Sequence, residues 1–252
     1  MINNISIVIP VLNEERNIIN LITEIKKNLE KKIKYEIIIV DDGSSDNTYN
    51  VLLKYLKKNK KVLVFKHKKN YGQSVSLRTG IMQTSSNYIV TLDGDGQNDP
   101  RDILKLLKNF ETDKEFMMVI GNRVKRIDNF ARRLASRTAF KIRKFILKDE
   151  TPDTGCAIKV FKKEDFLKLP FFNHIHRFLP FLFNSFKGKV ISIQVNHRAR
   201  INGYSKYSNF QRFLVGISDI FGVIWLRKRS KWPINYEKIN NIKLIKRGKN
   251  GN

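Results

Sequence analysis

Cysteine is almost absent from this sequence. Cys156 is the single cysteine among 252 residues, so no disulfide can form within the chain. Reducing compartments keep proteins free of disulfides, and we therefore expect an intracellular location. Cys156 has no neighbours at metal-ligand spacing, and we interpret it as a small packing residue.

Long apolar runs are also absent. The first apolar segment, Ile5 to Leu12, is short, contains Pro10 and continues directly into Asn13-Glu14-Glu15-Arg16, which is not the pattern of a secretory signal peptide. No uncharged apolar stretch approaches the roughly 18 residues that a membrane-spanning helix requires. We expect a protein that is soluble or peripheral to a membrane.

Acidic residues are few compared with basic ones. The chain has 23 Asp and Glu against 49 Lys and Arg, and its formal net charge is +26. Such a surface attracts polyanions, including nucleic acid, anionic membranes and phosphorylated substrates. A general drift toward Lys and Asn would give the same excess, so the position of each arginine is more informative than the total. With 41% hydrophobic residues the chain is not disordered, and its length suits one α/β domain or two small ones.

Two common nucleotide-binding loops are missing. The first predicted strand, Ile5 to Pro10, is not followed by G-x-G-x-x-G, which argues against a Rossmann dinucleotide site, and the sequence has no P-loop. Further strands are predicted at Tyr35 to Val40, at Val62 to Phe65 and from Tyr88 to Leu92, with helical patterns between them. This alternation predicts an α/β fold with a doubly wound, mostly parallel central sheet flanked by helices.

The first helix is predicted from a capping residue and an apolar stripe. Asn13 is a favourable N-cap, and we expect the helix to begin at Glu14. Apolar residues then recur at three- and four-residue spacing and predict one buried face, formed by Ile18, Leu21, Ile22, Ile25 and Leu29.

Acidic turns follow two of the predicted strands. Side chains two positions apart on an extended segment point the same way, so Asp93, Asp95 and Gln97 can present a row of oxygen atoms. Carboxylate and amide oxygens suit Mg²⁺ or Mn²⁺ better than zinc, although an ordinary Asp-Gly turn is the alternative interpretation. A second acidic turn, Asp41 to Thr48, could contact the base or ribose of a nucleotide. Ligands of such sheets bind at these strand ends.

Four motifs in this order and spacing resemble one family. They are Val8-Ile9-Pro10-Val11-Leu12-Asn13-Glu14-Glu15, Asp41-Asp42-Gly43-Ser44-Ser45-Asp46-Asn47-Thr48, Asn70-Tyr71-Gly72 and Asp93-Gly94-Asp95-Gly96-Gln97-Asn98-Asp99-Pro100. Over roughly residues 5 to 225 the chain resembles the family 2 glycosyltransferases, specifically the polyprenyl-phosphate sugar transferases of the dolichol-phosphate mannosyltransferase type. The resemblance implies a glycosyltransferase A fold. We expect one catalytic domain at 1–230, with a nucleotide-sugar half at 1–122 and an acceptor half at 123–230, followed by a basic, flexible tail at 231–252.

The resemblance also implies roles for individual residues. Donor binding is implied for Pro10, Asn13, Glu14, Asp42, Gly43, Gly72, Asp93, Arg200 and Lys206. Acceptor binding is implied for Arg123, Arg132, Arg133, Ser136 and Asp153, of which Asp153 would contact sugar hydroxyls. Metal binding is implied for Asp95 and Gln97 with Asp93 nearby, and catalytic roles are implied for Asp93, Asp95 and Arg123.

Two amphipathic stretches bear on membrane contact. The segment from Phe130 to Lys148 is predicted to be a helix with one basic and one apolar stripe, which fits an anionic membrane surface. A second apolar stripe, from Phe210 to Trp225, precedes Arg227-Lys228-Arg229, and an interfacial helix and ordinary core packing both explain it. His174 and His176 are expected to have structural or acceptor-contacting roles, because no third soft ligand lies near them.

The resulting functional hypothesis is an inverting, metal-assisted hexosyl transfer. The expected donor is a nucleotide diphosphate sugar, GDP-mannose or UDP-glucose, and the expected acceptor is a polyprenyl phosphate, dolichyl or undecaprenyl. The enzyme is expected at the cytoplasmic face of the membrane, with a separate membrane subunit as an open question. A non-lipid acceptor is the nearest alternative. A basic nucleic-acid-binding protein is the alternative from another functional class. That alternative does not explain why predicted strands end in acidic residues.

Overall fold

The computed structural model describes residues 2–57, 59, 61–123, 143–199 and 209–230, without the side chains of 209–215 and 217. One sheet contains seven strands in the order β3-β2-β1-β4-β6-β5-β7. The strands are β1 (Asn4–Val11), β2 (Lys34–Asp41), β3 (Val62–Lys66), β4 (Tyr88–Thr91), β5 (Met117–Asn122), β6 (Lys159–Lys162) and β7 (Lys189–Gln194). The helices are α1 (Ile18–Leu29), α2 (Thr48–Leu56), α3 (Gln73–Met82), α4 (Asp102–Lys108), α5 (Lys163–Lys168), α6 (Ile175–Ser185) and α7 (Asn209–Arg229).

The sheet is mostly parallel, as the sequence predicts. β1 pairs in parallel with β2 and β4, β2 with β3, and β5 with β7, whereas β6 runs antiparallel to both of its neighbours. Because β6 is reversed between β4 and β5, those two strands point the same way. The carboxyl ends of β1, β2, β4, β5 and β7 therefore lie at one edge of the sheet, together with the start of β6.

Both faces of the sheet are covered by helices. One apolar cluster joins the sheet to α1, α2 and α4, and the other joins it to α3, α5, α6 and α7. Strands buried on both faces read as continuous apolar runs, which explains why Ile37-Ile38-Ile39-Val40 has no polar alternation. Gly80 allows α3 to approach closely, because a Cβ there would lie 2.5 Å from Cγ1 of Val8.

The predicted start of the first helix is wrong. The helix begins at Ile18 rather than Glu14, and its N-cap position is Asn17. Asn13 instead has a positive φ of 55°, and its side-chain oxygen accepts a hydrogen bond from the Ser45 N–H at 2.8 Å. Residues 13–17 are thus held by the second acidic turn before α1 starts. The predicted buried face is confirmed, since Ile18, Leu21, Ile22, Ile25 and Leu29 are all buried.

Several predicted segments lie partly or wholly outside the described residues. Of the helix predicted from Phe130 to Lys148, residues 143–147 are described and helical. The tail at 231–252 lies outside the described residues, and so the domain boundary at 230 remains a prediction. Among the helices that the structure describes, none combines the length and the apolar character of a transmembrane span.

Candidate active site

The candidate site lies at the edge of the sheet where the parallel strands end. The acidic turns after β2 and β4 emerge there, Arg123 follows β5, and Asp153 precedes the reversed strand β6. The topology therefore brings together residues that are up to about half the chain apart in sequence. This is the edge at which open parallel α/β sheets bind their ligands.

The loop after β1 is tied to the acidic turn after β2. The Asn13 N–H donates to the Ser44 hydroxyl at 2.9 Å, and the Glu14 N–H donates to Oγ1 of Thr48 at 2.8 Å. Glu14 is buried, and its carboxylate accepts a hydrogen bond from the Asn17 amide at 2.6 Å. Two of the predicted donor-binding residues, Asn13 and Glu14, thus lie in a loop that hydrogen bonds hold in place at the edge of the site. Pro10 precedes this loop on β1.

Asp42 organises the next loop. Its Oδ1 accepts the Tyr71 N–H at 3.0 Å and lies 2.7 Å from Nδ1 of His67, while its Oδ2 accepts the Gly72 N–H at 2.7 Å. Gly43 has a φ of +74°, and a Cβ there would lie 2.7 Å from the carbonyl carbon of Lys69. The predicted donor residues Asp42, Gly43 and Gly72 are therefore neighbours, and glycine is required where the two loops touch.

Asp93 and Asp95 form the acidic centre. Burial and the charge of Asp95 together raise the pKa of Asp93 to about 7, although Lys159 and Arg123 act in the opposite direction. Oδ1 of Asp93 accepts a hydrogen bond from the Gln73 amide at 2.8 Å. Oδ1 of Asp95 accepts the Gln97 N–H at 3.1 Å. The pair is thus a concentration of negative charge that a cation would relieve.

Arg123 and Asp153 form a buried ion pair beside these acids. Nε of Arg123 is 2.6 Å from Oδ2 of Asp153, and its Nη2 is 2.8 Å from Oδ1. Burial alone would lower the pKa of Arg123, but the Asp153 carboxylate raises it, so the guanidinium remains charged. The two residues predicted to contact the acceptor and the sugar are therefore arranged as one bidentate unit.

The oxygen atoms offered at this site suit a divalent cation whose remaining ligands come from a substrate. No group of three or more His, Cys, Asp or Glu side chains in the described residues could enclose a metal ion. Asp93, Asp95 and Gln97 instead offer carboxylate and amide oxygens from one turn. Mg²⁺ is commonly held in this way, by one or two carboxylates with water and substrate phosphate oxygens completing the shell.

A comparison with protein families shows the family of the chain. A model described as glycosyl transferase family 2 matches residues 6–169. The chain belongs to glycosyl transferase family 2. The acidic turn at 93–99 and the loops at 13–17 and 41–48 all lie within the matched region.

Two relatives of this glycosyltransferase carry names that include a polyprenyl phosphate. It is 29% identical over 234 residues to a dodecaprenyl-phosphate galacturonate synthase from Rhizobium johnstonii, covering 91% of this chain and 69% of the relative. It is 33% identical over 210 residues to an undecaprenyl-phosphate 4-deoxy-4-formamido-L-arabinose transferase from Proteus mirabilis, covering 82% of this chain and 64% of the relative. The chain thus spans about two thirds of the length of each relative.

Solved structures share the fold. A glucosyl-3-phosphoglycerate synthase from Mycobacterium tuberculosis in complex with Mn²⁺, UDP and phosphoglyceric acid has a TM-score of 0.65 at 19% identity, covering 89% of this chain and 78% of that one. The same synthase with Mn²⁺ and UDP-glucose has a TM-score of 0.67 at 16% identity, covering 91% and 80%. These likenesses confirm the glycosyltransferase A fold.

Some predicted site residues lie outside the part of the glycosyltransferase that the structure describes. They are Arg132, Arg133, Ser136, Arg200 and Lys206. Their acceptor and donor roles remain predictions.

The two histidines between β6 and β7 make internal contacts. Nδ1 of His174 lies 2.9 Å from the Asp219 carboxylate, and Nδ1 of His176 lies 2.8 Å from the Ser74 hydroxyl. Burial and the nearby charge of Arg177 lower the pKa of His176 well below its ordinary value. Cys156 is fully buried and free, in agreement with a packing role.

Sequence reasoning missed several residues at the site. Gln73 directly follows the Asn70-Tyr71-Gly72 motif, and that position was the one available signal for its contact with Asp93. Lys159 is buried behind the acids, and its Nζ donates to the carbonyl of Cys156. Arg143 is largely buried and donates to the Thr154 hydroxyl. Neither Lys159 nor Arg143 stands out in a chain with this many basic residues.

Proposed function

We propose that this glycosyltransferase moves a hexosyl group from a nucleotide diphosphate sugar to a polyprenyl phosphate, with inversion at the anomeric carbon. The observation that supports this most is the meeting of the Asp93–Asp95 pair with the buried Arg123–Asp153 unit at one sheet edge. Both relatives are named for a polyprenyl phosphate and a sugar, which supports the acceptor class.

The acceptor needs no dedicated general base. A phosphate monoester is already anionic near neutral pH, so its oxygen can attack the anomeric carbon directly. Asp153 holds the charged guanidinium of Arg123 through Nε and Nη2, so phosphate oxygens would be bound by the N–H groups at the opposite edge of the guanidinium. Arg123 would therefore orient the acceptor phosphate, and Arg132, Arg133 and Ser136 are proposed to assist it.

The leaving diphosphate needs charge neutralisation. Asp95 and Gln97, with Asp93 beside them, would hold Mg²⁺ or Mn²⁺, which when bound supplies a Lewis acid for the departing group. The loops around Glu14 and Asp42 would place the nucleotide, and Arg200 and Lys206 are proposed to contact its diphosphate. Attack from the side opposite the leaving group then predicts inversion, which NMR of the product's anomeric configuration would test.

The sugar is the open part of this proposal. We propose mannose from GDP-mannose or glucose from UDP-glucose as the first candidates. The relatives are named for galacturonate and for a formamido-arabinose, two chemically different sugars. A donor screen must therefore also include nucleotide sugars that carry a uronate or an amino-arabinose.

A membrane surface is the proposed place of the reaction, because a polyprenyl acceptor is found there. α7 exposes Phe221 and Trp225 and ends in three basic residues, Arg227, Lys228 and Arg229. Aromatic and basic residues on one helix are typical of interfacial binding. We propose peripheral attachment at the cytoplasmic face, through this helix and the basic segment around residues 130–148.

A donor screen tests the proposed function. Purified protein, Mn²⁺ or Mg²⁺, a short-chain polyprenyl phosphate and each labelled nucleotide sugar are combined, and label is followed into the organic phase. We expect transfer from one donor, loss of transfer in Asp95→Ala and Arg123→Ala, and no loss in Asp113→Ala, which changes an exposed acid.

The same screen separates the alternatives. Arg123→Lys retains the positive charge but not the bidentate geometry of the guanidinium. This variant should therefore fold like the wild type and show little activity. Label that leaves the nucleotide but appears only in water-soluble products would show hydrolysis, with water as the acceptor, and would argue against transfer to the lipid. No transfer from any donor would refute the proposed reaction.

A further inference from the structure

Two segments from distant parts of the chain run side by side at the site. The Arg198 N–H donates to the Gln97 carbonyl at 3.0 Å, and the Gln97 side-chain amide donates to the Arg198 carbonyl at 3.2 Å. Asn98 and His197 form an antiparallel bridge between these contacts. Residues 97–98 and 197–198 therefore form a short two-stranded clamp beside the acidic turn.

The Arg198 side chain fastens this clamp to the body of the protein. Its Nη2 lies 3.1 Å from Oδ1 of Asp99, and its Nη1 lies 2.6 Å from Oε2 of Glu24 on α1. Asp99 is only 1% exposed, so its carboxylate gives a fixed anchor point. One guanidinium thus connects the segment after β7, the acidic turn and the first helix.

The clamp fixes the orientation of the Gln97 side-chain amide. Because its NH₂ group donates to the Arg198 carbonyl, the amide cannot turn over without placing two oxygen atoms together. Among the described residues no hydrogen bond reaches Oε1 of Gln97. That oxygen is therefore available to coordinate a metal ion or to accept a hydrogen bond from a ligand.

We propose that Arg198 is a positioning residue for the Gln97 amide oxygen. Its guanidinium holds Arg198 itself against Asp99, and its backbone carbonyl then orients Gln97 toward a divalent cation. This inference rests on the proposed role of Gln97 in cation binding. Residues that orient a ligand of a metal commonly change metal affinity by 10- to 100-fold, roughly, when they are removed.

Arg101 provides a matched control. It also pairs with Asp99, with Nη2 at 2.5 Å from Oδ2, but its side chain is 65% exposed and it belongs to the same turn as its partner. Loss of Arg101 removes one ion pair of Asp99 without releasing the clamp. Glu24→Gln is a second control, since it weakens the hold on Arg198 and leaves the contact with Asp99 intact.

The experiment measures Mn²⁺ affinity by electron paramagnetic resonance, with and without UDP or GDP, beside the melting temperature of each variant. We expect roughly 10-fold weaker Mn²⁺ binding in Arg198→Ala, partial recovery in Arg198→Lys and affinity close to that of the wild type in Arg101→Ala. Gln97→Ala combined with Arg198→Ala should be no weaker than Gln97→Ala alone.

Two results would overturn the inference while leaving the proposed cation site in place. Unchanged Mn²⁺ affinity in Arg198→Ala would show that the clamp does not orient Gln97. A loss of Mn²⁺ affinity in Arg101→Ala equal to that in Arg198→Ala would show that any ion pair of Asp99 supports the turn, and that Arg198 has no specific role. Absence of Mn²⁺ binding by the wild type would be distinguishable from both, because it would refute the proposed cation site itself and this inference with it.

Discussion

Asp93 is held at the site with a pKa of about 7, against an ordinary 3.8, mainly because partial burial disfavours its charged form and secondly because Asp95 is close. A raised pKa means that the folded state binds this proton more tightly than the unfolded state. The associated stability is therefore lost as pH rises from about 4 to about 7, and above that range the carboxylate remains charged and poorly compensated. A bound divalent cation would compensate it.

This linkage predicts a pH-dependent stabilisation by metal. Mn²⁺ should raise the melting temperature more at about pH 8 than at about pH 6, where Asp93 is largely protonated and a proton must leave before the cation binds. Differential scanning fluorimetry at both pH values measures this. Asp93→Asn should show a small shift without pH dependence, and an equal Mn²⁺ shift of the wild type at both values would contradict the prediction.

Asp165 is a buried acid that is remote from the site, and its pKa is also raised. Its Oδ2 accepts the Phe116 N–H at 2.9 Å, and its Oδ1 has no hydrogen-bond partner within the described structure. Burial raises its pKa to about 6, although Lys162 and Lys168 act against this. Its contribution to stability is therefore present at low pH and is lost as pH rises toward 6 and beyond.

Asp165→Asn should consequently gain stability relative to the wild type as pH increases. The amide oxygen can still accept the Phe116 N–H, and no charge has to be buried. Urea unfolding at about pH 5 and about pH 8 measures the difference. Asp165→Ala loses the acceptor and should be destabilised by roughly 1–3 kcal/mol at both values. A difference between wild type and Asp165→Asn that does not change with pH would refute this assignment.

At the scale of elements, Glu36 joins three strands at the edge opposite the site. Its Oε1 accepts hydrogen bonds from Ser6 on β1 and from both the N–H and the hydroxyl of Ser85, just before β4. Burial raises the pKa of Glu36, but these hydrogen bonds outweigh burial and hold it below the ordinary value. The stability that these hydrogen bonds contribute is present above the pKa that Glu36 has in the unfolded chain. It is lost as pH falls through the lower pKa that Glu36 has in the folded protein.

Glu36→Gln should therefore destabilise the protein by roughly 1–3 kcal/mol at neutral pH, because charge-assisted hydrogen bonds become neutral ones. The deficit should narrow as pH falls below 4.5, the ordinary value. Ser85→Ala removes one donor and should cost less. Chemical denaturation across this range is the measurement, and a deficit that grows on acidification would be the contrary outcome.

The elements themselves were largely predictable, for a physical reason. β2 was predicted at Tyr35 to Val40 and spans Lys34–Asp41, because a strand buried on both faces must be apolar throughout. The start of α1 was not predictable. Asn13 is a good N-cap by type, but it is held by Ser44 and Ser45, more than thirty positions away. The helix propensities of neighbouring residues carry no information about a contact between positions so far apart in sequence.

At the scale of the whole molecule, the site was predictable as a set but not as an arrangement. The resemblance named Asp42, Asp93 and Arg123, and the topology places all three at one sheet edge. Their partners His67, Gln73 and Asp153 lie 25, 20 and 30 positions away, and no spacing rule connects them. Pairing of this kind follows from the order of strands in the sheet, which the sequence pattern left open.

The net charge of +26 also acts at this scale, and it attracts any polyanion. Charge alone cannot distinguish an anionic membrane from nucleic acid, because both interactions weaken as salt screens them. α7 provides the distinction. Phe221 is 67% exposed and Trp225 is 61% exposed, whereas Val223 between them is buried against the body of the protein.

Exposed aromatic side chains add an attraction to lipid that salt does not remove. We expect the protein to float with vesicles containing anionic lipid at low salt, and to remain partly bound at about 0.5 M salt, where screening lengths fall to a few Å. Phe221→Ser combined with Trp225→Ser should lose the salt-resistant fraction but retain binding to the anionic vesicles at low salt. Leu63→Ser, which changes a 42% exposed apolar residue on β3, should behave as the wild type. If the double variant floats as well as the wild type at high salt, α7 is not the membrane-contacting helix.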